Sequence, residues 1–159
     1  MTTSRTEVLS KKMKERGLKL SLAESCTGGM IGSEITSLSG SSTFFLGSAV
    51  TYSNESKEGI LGVRQSSLIE FGAVSEAVAK EMALGSLRVY GSDVSASVTG
   101  IAGPEGGTPE KPVGTVWMAV TDGVSTIAYE NHFTGTRDEI RKRTTDVLIQ
   151  HILEFLDEM

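Results

Sequence analysis

The feature that most limits the fold of this chain is a regular alternation of short β-type runs with segments of helical period. "LKLSLAES" reads as a strand and runs into the glycine turn "CTGG". Ile31, Ile35 and Leu38, spaced by four and three, then predict a helix beginning near Cys26 or Thr27. "STFFLGSAVTYS" is a second strand, followed by the helical "NESKEGILG" and by "SSLIEFG", where Ser67 and Glu70 make a capping-box pair. "SEAVAKEMALGSLRVYG" is a longer helix with Val78, Met82, Gly85 and Val89 on one face, and "SDVSASVTG" alternates as a half-buried strand does. A Gly/Pro-rich connection, "IAGPEGGTPEKPVG", leads to the strand "GTVWMAVT", and Asp122-Gly123 signals a hairpin into "VSTIAYENHF".

Helices close both ends. Ser4 with Glu7 opens the first, which stops at Gly17; Thr136 with Glu139 opens the last, with Ile140, Val147, Leu148, Ile152, Phe155 and Leu156 as its apolar face. Alternating units predict parallel strands with helices on both faces, and the two short connections predict one antiparallel member. The expected fold is an α/β three-layer α/β/α sandwich around a mixed, mostly parallel five-stranded sheet. Its 159 residues suit one domain, 1–159, with neither an internal repeat nor a linker to divide it.

Composition narrows the partners. The net charge is −5 and the longest basic run is "RKR" at Arg141 to Arg143, so nucleic acid is not an expected ligand. One cysteine forms no internal disulfide, the N-terminal segment lacks the apolar core of a signal peptide, and no apolar run reaches membrane-spanning length. A cytoplasmic protein with no membrane partner is expected. Metal chemistry finds no HExxH, CxxC or EF-hand spacing, so no metal site is expected.

The chemistry concentrates in "SLAESCTGGM", Ser21 to Met30. Open α/β sheets bind ligands beyond the carboxyl ends of their strands, and Ser25 ends the first strand. There the amides from Cys26 to Gly28 could stabilise an oxyanion, while Gly28 and Gly29 allow close approach of a ligand. The plainer reading makes Ser25 a helix N-cap, and spacing alone favours it. A nucleophilic serine also needs a base. His132 and His151 read as structural or surface residues. Lys57, in "TYSNESK" at the end of the second strand, could serve if held neutral, with Tyr52 to relay a proton or orient the amine. Read alone, Lys57 is equally a solvated helix residue. Cys26 ranks behind Ser25, because a lone cysteine is more often a small buried apolar group. Thr99, Gly100, Ala102 and Gly103 could offer amides to a phosphate or sugar, although a plain loop explains them nearly as well. Arg137 and Arg141, one turn apart on the last helix, could hold an anion together; singly, each reads as solvated surface.

"AESCTGG", "GSAVTYSNESKEGILGV", "FGAVSEAVAKEMA", "VTGIAGPEGGTPEKPVGTVWMAV" and the late Arg137 resemble the CinA C-terminal family, in order, from about residue 4 to 156. The resemblance implies the same three-layer fold and, for stand-alone bacterial members, hydrolysis of nicotinamide mononucleotide to nicotinate mononucleotide and ammonia in pyridine nucleotide recycling. It implies Ser25 as nucleophile, Lys57 and Tyr52 as its base and helper, and no cofactor. Substrate contacts would come from Thr27, Gly28 and Gly29, from the loop Thr99 to Pro104, and from Arg137 with Arg141. "FTGTR" has Thr136 where the family often has aspartate; Thr136 can cap the helix equally well. Relatives are often dimers, and the exposed faces are compatible with a homodimer. Longer relatives carry a further N-terminal domain, whose pyrophosphatase activity is not carried over. Two other readings stay open: a non-catalytic nucleotide-binding or damage-response module, and a hydrolase using Cys26.

Overall fold

The computed structural model describes residues 3–159. Its elements run α1 (Arg5–Arg16), β1 (Leu20–Glu24), α2 (Met30–Thr36), β2 (Phe45–Val50), α3 (Asn54–Leu61), α4 (Gln65–Phe71), α5 (Glu76–Tyr90), β3 (Val94–Gly100), β4 (Thr115–Thr121), β5 (Thr126–His132) and α6 (Arg137–Asp157). The strands form one sheet in the order β2-β1-β3-β4-β5. β1 pairs in parallel with β2 and β3, while β4 is antiparallel to both β3 and β5. One strand is therefore reversed, as expected, yet parallel pairing covers only half of the sheet. Helices α1, α2 and α6 cover one face; α3, α4 and α5 cover the other.

The two faces differ in chemistry. Towards α1, α2 and α6 the sheet presents Leu20, Leu22, Val94, Ala96, Val98, Val116, Met118 and Val120, joined by Ile31, Ile35, Ile140, Leu148 and Ile152 in one apolar cluster. Towards α5 it presents small residues, among them Ser21, Ala23, Ser95, Ser97 and Ala119. β3 is thus buried along both faces, where alternation predicts only one. Ser97 is tolerated there because α5 lies close enough to accept from it: its Oγ donates to the Ala79 carbonyl at 2.5 Å, while Ser86 Oγ on α5 donates to the Leu22 carbonyl of β1 at 3.0 Å. The buried Ser95 hydroxyl has no partner among the described residues. On α5 the residues Val78, Met82 and Gly85 face inward, and Val89 is exposed.

Local signals at the chain ends hold. Ser4 accepts from the Glu7 amide and Gly17 closes α1 in the left-handed region. Thr136 and Glu139 form a full capping box at α6. The pair Ser67–Glu70 does not cap. Arg64 precedes α4, and the buried Ser67 hydroxyl instead donates to Glu81 on α5 at 2.6 Å. A tertiary carboxylate has outcompeted the local one.

The departure that matters most lies after β1. α2 begins at Met30, three or four residues later than the sequence suggests, and its N-cap Gly29 supplies no side-chain bond. Glu24, the last residue of β1 and fully buried, does that work from upstream. One oxygen accepts from Thr27 Oγ1 (2.6 Å), the Gly29 amide (3.2 Å) and the Ile31 amide (3.0 Å). The other accepts from the Gly32 amide (3.0 Å) and Ser48 Oγ on β2 (2.7 Å). Residues 25–29 are consequently a turn standing clear of the helix, and Ser25 is not its cap.

Two outcomes follow from this packing. In Glu24→Gln the new NH2 group confronts donors, so stability falls by about 1–3 kcal/mol, read as a lower denaturant midpoint at unchanged slope. In Gly85→Ala the added methyl would lie 2.1 Å from the Leu61 carbonyl oxygen, forcing α5 away from the end of α3. A loss of about 1–3 kcal/mol or more is expected in the same measurement.

Candidate active site

β1 leads from its carboxyl end into α2 on one face, whereas β2 leads into α3 on the other, so a crevice opens beyond the strand ends. It holds a hollow of about 320 Å³, at the lower end of the size range of small-ligand sites. Four segments supply its walls: the Ser25 turn, the β2–α3 connection with Tyr52, Asn54 and Lys57, the α4–α5 loop at Ala73 and Val74, and the glycine loop from Thr99 to Gly106. Arg137 at the start of α6 completes the rim.

Lys57 is the unusual residue. Ser53 caps α3 by accepting from the Ser56 amide, and the first turn directs the Lys57 side chain inward until only 1% of it is exposed. Its Nζ lies 2.9 Å from Ser25 Oγ, 2.8 Å from the Thr51 carbonyl oxygen and 3.2 Å from the Tyr52 carbonyl oxygen. No carboxylate bonds to it. Burial disfavours the ammonium form and lowers its pKa below the ordinary 10.5; only the Cys26 thiol, when ionised, would oppose this. A neutral amine has two N–H groups and one lone pair. In the neutral form the two carbonyls would take both N–H groups, leaving the lone pair to face the Ser25 hydroxyl.

Ser25 is itself buried. Its carbonyl accepts from the Gly28 amide at 3.1 Å, which closes the turn. Gly28 (φ 59°) and Gly29 (φ 103°) occupy the left-handed region that side chains disfavour. The Gly28 and Gly29 amides are committed to Ser25 and Glu24, and Thr27 is fully buried with its hydroxyl on Glu24. Thr27, Gly28 and Gly29, expected to contact substrate, therefore build the turn and do not line the hollow. Cys26 does line it, but burial pushes its thiol up to about 11 against the opposing effects of its own amide, Arg141 and Lys57. A thiol with that pKa keeps its proton at neutral pH.

The remaining expected residues divide. Thr99, Gly100, Ala102 and Gly103 line the hollow, with Thr99 Oγ1 donating to the Ala73 carbonyl at 3.0 Å. The Tyr52 side chain stands 65% exposed at the mouth, its hydroxyl 3.5 Å from Arg137 Nη2, and it meets Lys57 only through its main-chain oxygen. Arg137 Nη1 donates to the Gly103 carbonyl at 2.9 Å. Arg141 does not reach the hollow: Nε donates to the Cys26 carbonyl at 3.1 Å and Nη2 to the Thr27 carbonyl at 2.9 Å. His132 is exposed on β5, and His151 stacks on Tyr129 with ring centroids 3.7 Å apart, away from the site. Sequence reasoning missed Asn54, Ala73, Val74 and Glu105 at the walls. Ala73 and Val74 carry no reactive group that could have marked them.

A buried serine–lysine pair on one rim, with an arginine across the hollow, has the composition of a site for hydrolysing an anionic substrate. Comparison with known proteins is consistent with that placement. The chain is 52% identical over 136 residues to a CinA-like protein of Geobacter metallireducens, covering 86% of this chain and 33% of the relative. It thus spans about a third of the length of such relatives. It is 45% identical over 146 residues to the nicotinamide-nucleotide amidohydrolase PncC of Shigella flexneri, covering 91% of this chain and 88% of that protein. The crystal structure of the competence/damage inducible protein CihA from Agrobacterium tumefaciens superposes with a TM-score of 0.90 at 37% identity, covering 99% of each chain. The model of the CinA C-terminal domain matches residues 2–156, and the chain belongs to that family.

Proposed function

We propose that this protein is an amidohydrolase that releases ammonia from the carboxamide of nicotinamide mononucleotide, leaving nicotinate mononucleotide, with Ser25 as nucleophile and Lys57 as base. The observation that carries this reading is the 2.9 Å contact between the Lys57 amine and the Ser25 hydroxyl, two buried side chains that meet at the wall of the hollow. Likeness to the Shigella flexneri amidohydrolase along nearly its whole length supports the substrate class.

The chemistry follows from the hydrogen-bond count. The Lys57 lone pair takes the Ser25 proton as Oγ attacks the carboxamide carbon. The ammonium so formed keeps two N–H groups on the Thr51 and Tyr52 carbonyls and directs the third towards the departing nitrogen. Ammonia leaves and an acyl-enzyme remains. Water then gives a proton to Lys57 as it attacks the ester, and Lys57 returns that proton to Ser25. The electron-poor pyridinium ring makes its carboxamide more electrophilic than an ordinary amide. Amides at the hollow's wall, beginning with Cys26, would hold the oxyanion.

Substrate placement uses the other walls. The exposed Tyr52 ring can cover the cationic pyridinium ring, an arrangement favoured by cation–π attraction. Arg137 spends one nitrogen on Gly103, which leaves its remaining donors for the phosphate beside the Thr99–Gly103 loop.

The decisive assay is ammonia release from nicotinamide mononucleotide. Ser25→Ala and Lys57→Met are expected to lose on the order of 10³-fold or more in kcat, and the double variant scarcely more than either, because the pair acts as one unit. Cys26→Ala should stay within a few fold of the native protein; its selective loss of activity would move the nucleophile to sulfur.

The pH dependence has a fixed sign. Lys57 must be neutral to act, so kcat/KM rises as pH climbs through its lowered pKa and then stays level up to alkaline pH. The same shift links to folding: between that lowered value and 10.5 the unfolded chain binds more protons, so stability increases with pH across this window. Lys57→Met should abolish that part of the slope in denaturant titrations run at several pH values.

A further inference from the structure

Arg141 has been left without a role in binding, yet its contacts are specific. The turn from Ser25 to Gly29 belongs to neither β1 nor α2 and must be held by side chains. Glu24 holds it from the α2 side through Thr27 and Gly29. Arg141, 115 residues from Cys26 in sequence, holds it from the α6 side by taking the Cys26 and Thr27 carbonyls with two nitrogens of one guanidinium. Two donors fixed in one plane restrain two successive peptide groups, which a single-point donor such as lysine cannot do. Gly28 fits this arrangement: its backbone is left-handed, and a side chain there would begin 3.4 Å from Arg141 Nη2. The restrained peptide groups directly follow the residue whose hydroxyl meets Lys57.

We propose that Arg141 is a positioning residue of the hydrolytic site, its guanidinium fork fixing the Ser25 turn so that the serine hydroxyl stays within proton-transfer distance of Lys57. This rests on the serine–lysine reading above. Arg141 also stands in a relay of supports: α6 holds the glycine loop through Arg137 on Gly103 and, one helical turn later, the nucleophile turn through Arg141. The first turns of α6 therefore set the spacing between the two walls that face the reacting carbonyl. Misplacement of a reacting group by about an ångström can cost on the order of 10²-fold in rate.

The test compares the native protein with Arg141→Lys and Arg141→Ala, each checked by thermal midpoint, in two assays. In the first, turnover of nicotinamide mononucleotide, Arg141→Lys is expected to fold like the native chain and to lose on the order of 10²-fold in kcat with KM changed less than about threefold. Added guanidinium should restore about tenfold or more of the lost rate to Arg141→Ala and nothing to Ser25→Ala. A KM raised tenfold or more at near-native kcat would make Arg141 a substrate ligand and overturn the proposal; so would unchanged kinetics. In the second assay, labelling of Ser25 by a fluorophosphonate, no nucleotide is involved. If the native protein labels at Ser25 but does not turn over the mononucleotide, the substrate assignment fails, and the proposal stands when both variants label on the order of 10²-fold more slowly. Equal labelling rates in all three proteins, or no labelling in the native one, would overturn it. If Arg141→Ala does not fold, the Arg141→Lys rates decide.

Discussion

Everything at the catalytic end of the sheet depends on one buried carboxylate. Glu24 accepts five hydrogen bonds and reaches a turn, the first residues of a helix and the neighbouring strand at once. Three of its donors are main-chain amides around the start of α2, where the backbone concentrates positive potential, so the carboxylate is stabilised by dipoles in place of a cation. This frees the peptide ahead of the helix to turn sharply. A serine that capped the helix would have its hydroxyl engaged by an amide. Because Glu24 supplies that capping from one residue upstream, Ser25 is available to face Lys57.

The lysine obeys the complementary logic. A buried amine with no carboxylate partner is costly as an ammonium, and the protein supplies only carbonyl dipoles to meet it. Those dipoles suit both protonation states, since two N–H groups persist in each. In the proposed mechanism little rearrangement would be needed when the proton crosses from oxygen to nitrogen, which is the property expected of a preorganised site. The neighbouring thiol of Cys26 lies in the same wall, where burial raises its pKa to about 11 and disfavours the thiolate.

Much of this was readable in the sequence, and the failures share a cause. Strand ends, the hairpin at Asp122-Gly123 and the caps at Ser4 and Thr136 depend on near neighbours, and periodicity found them. Ser25 and Lys57 are candidates because both follow strands whose ends share a rim, but only the family resemblance sets them above a helix cap and a solvated lysine. The start of α2 was misjudged because its cap is a glutamate on the preceding strand. Ser67 was misjudged because Glu81, fourteen residues away, competes for its hydroxyl. Val89 obeys helical spacing with the α5 core and is nonetheless exposed. β3 reads as half-buried because its serines are polar, although close packing of α5 buries both and lets Ser97 bond to a carbonyl. Arg141 was grouped with Arg137 as an anion ligand, and only the folded chain shows it turned towards main-chain oxygens. Apart from Val89, for which no partner accounts, the outcome was decided by a partner outside the local pattern.

The support that α6 gives to the Ser25 turn spans 115 residues. During synthesis Ser25, Lys57 and their strands leave the ribosome long before Arg137 and Arg141 do. A nascent chain can thus form the central part of the sheet while the two walls of its hollow are still unbraced. On the proposed reading, the spacing of Ser25 and Lys57 becomes fixed only once α6 has folded against the Ser25 turn.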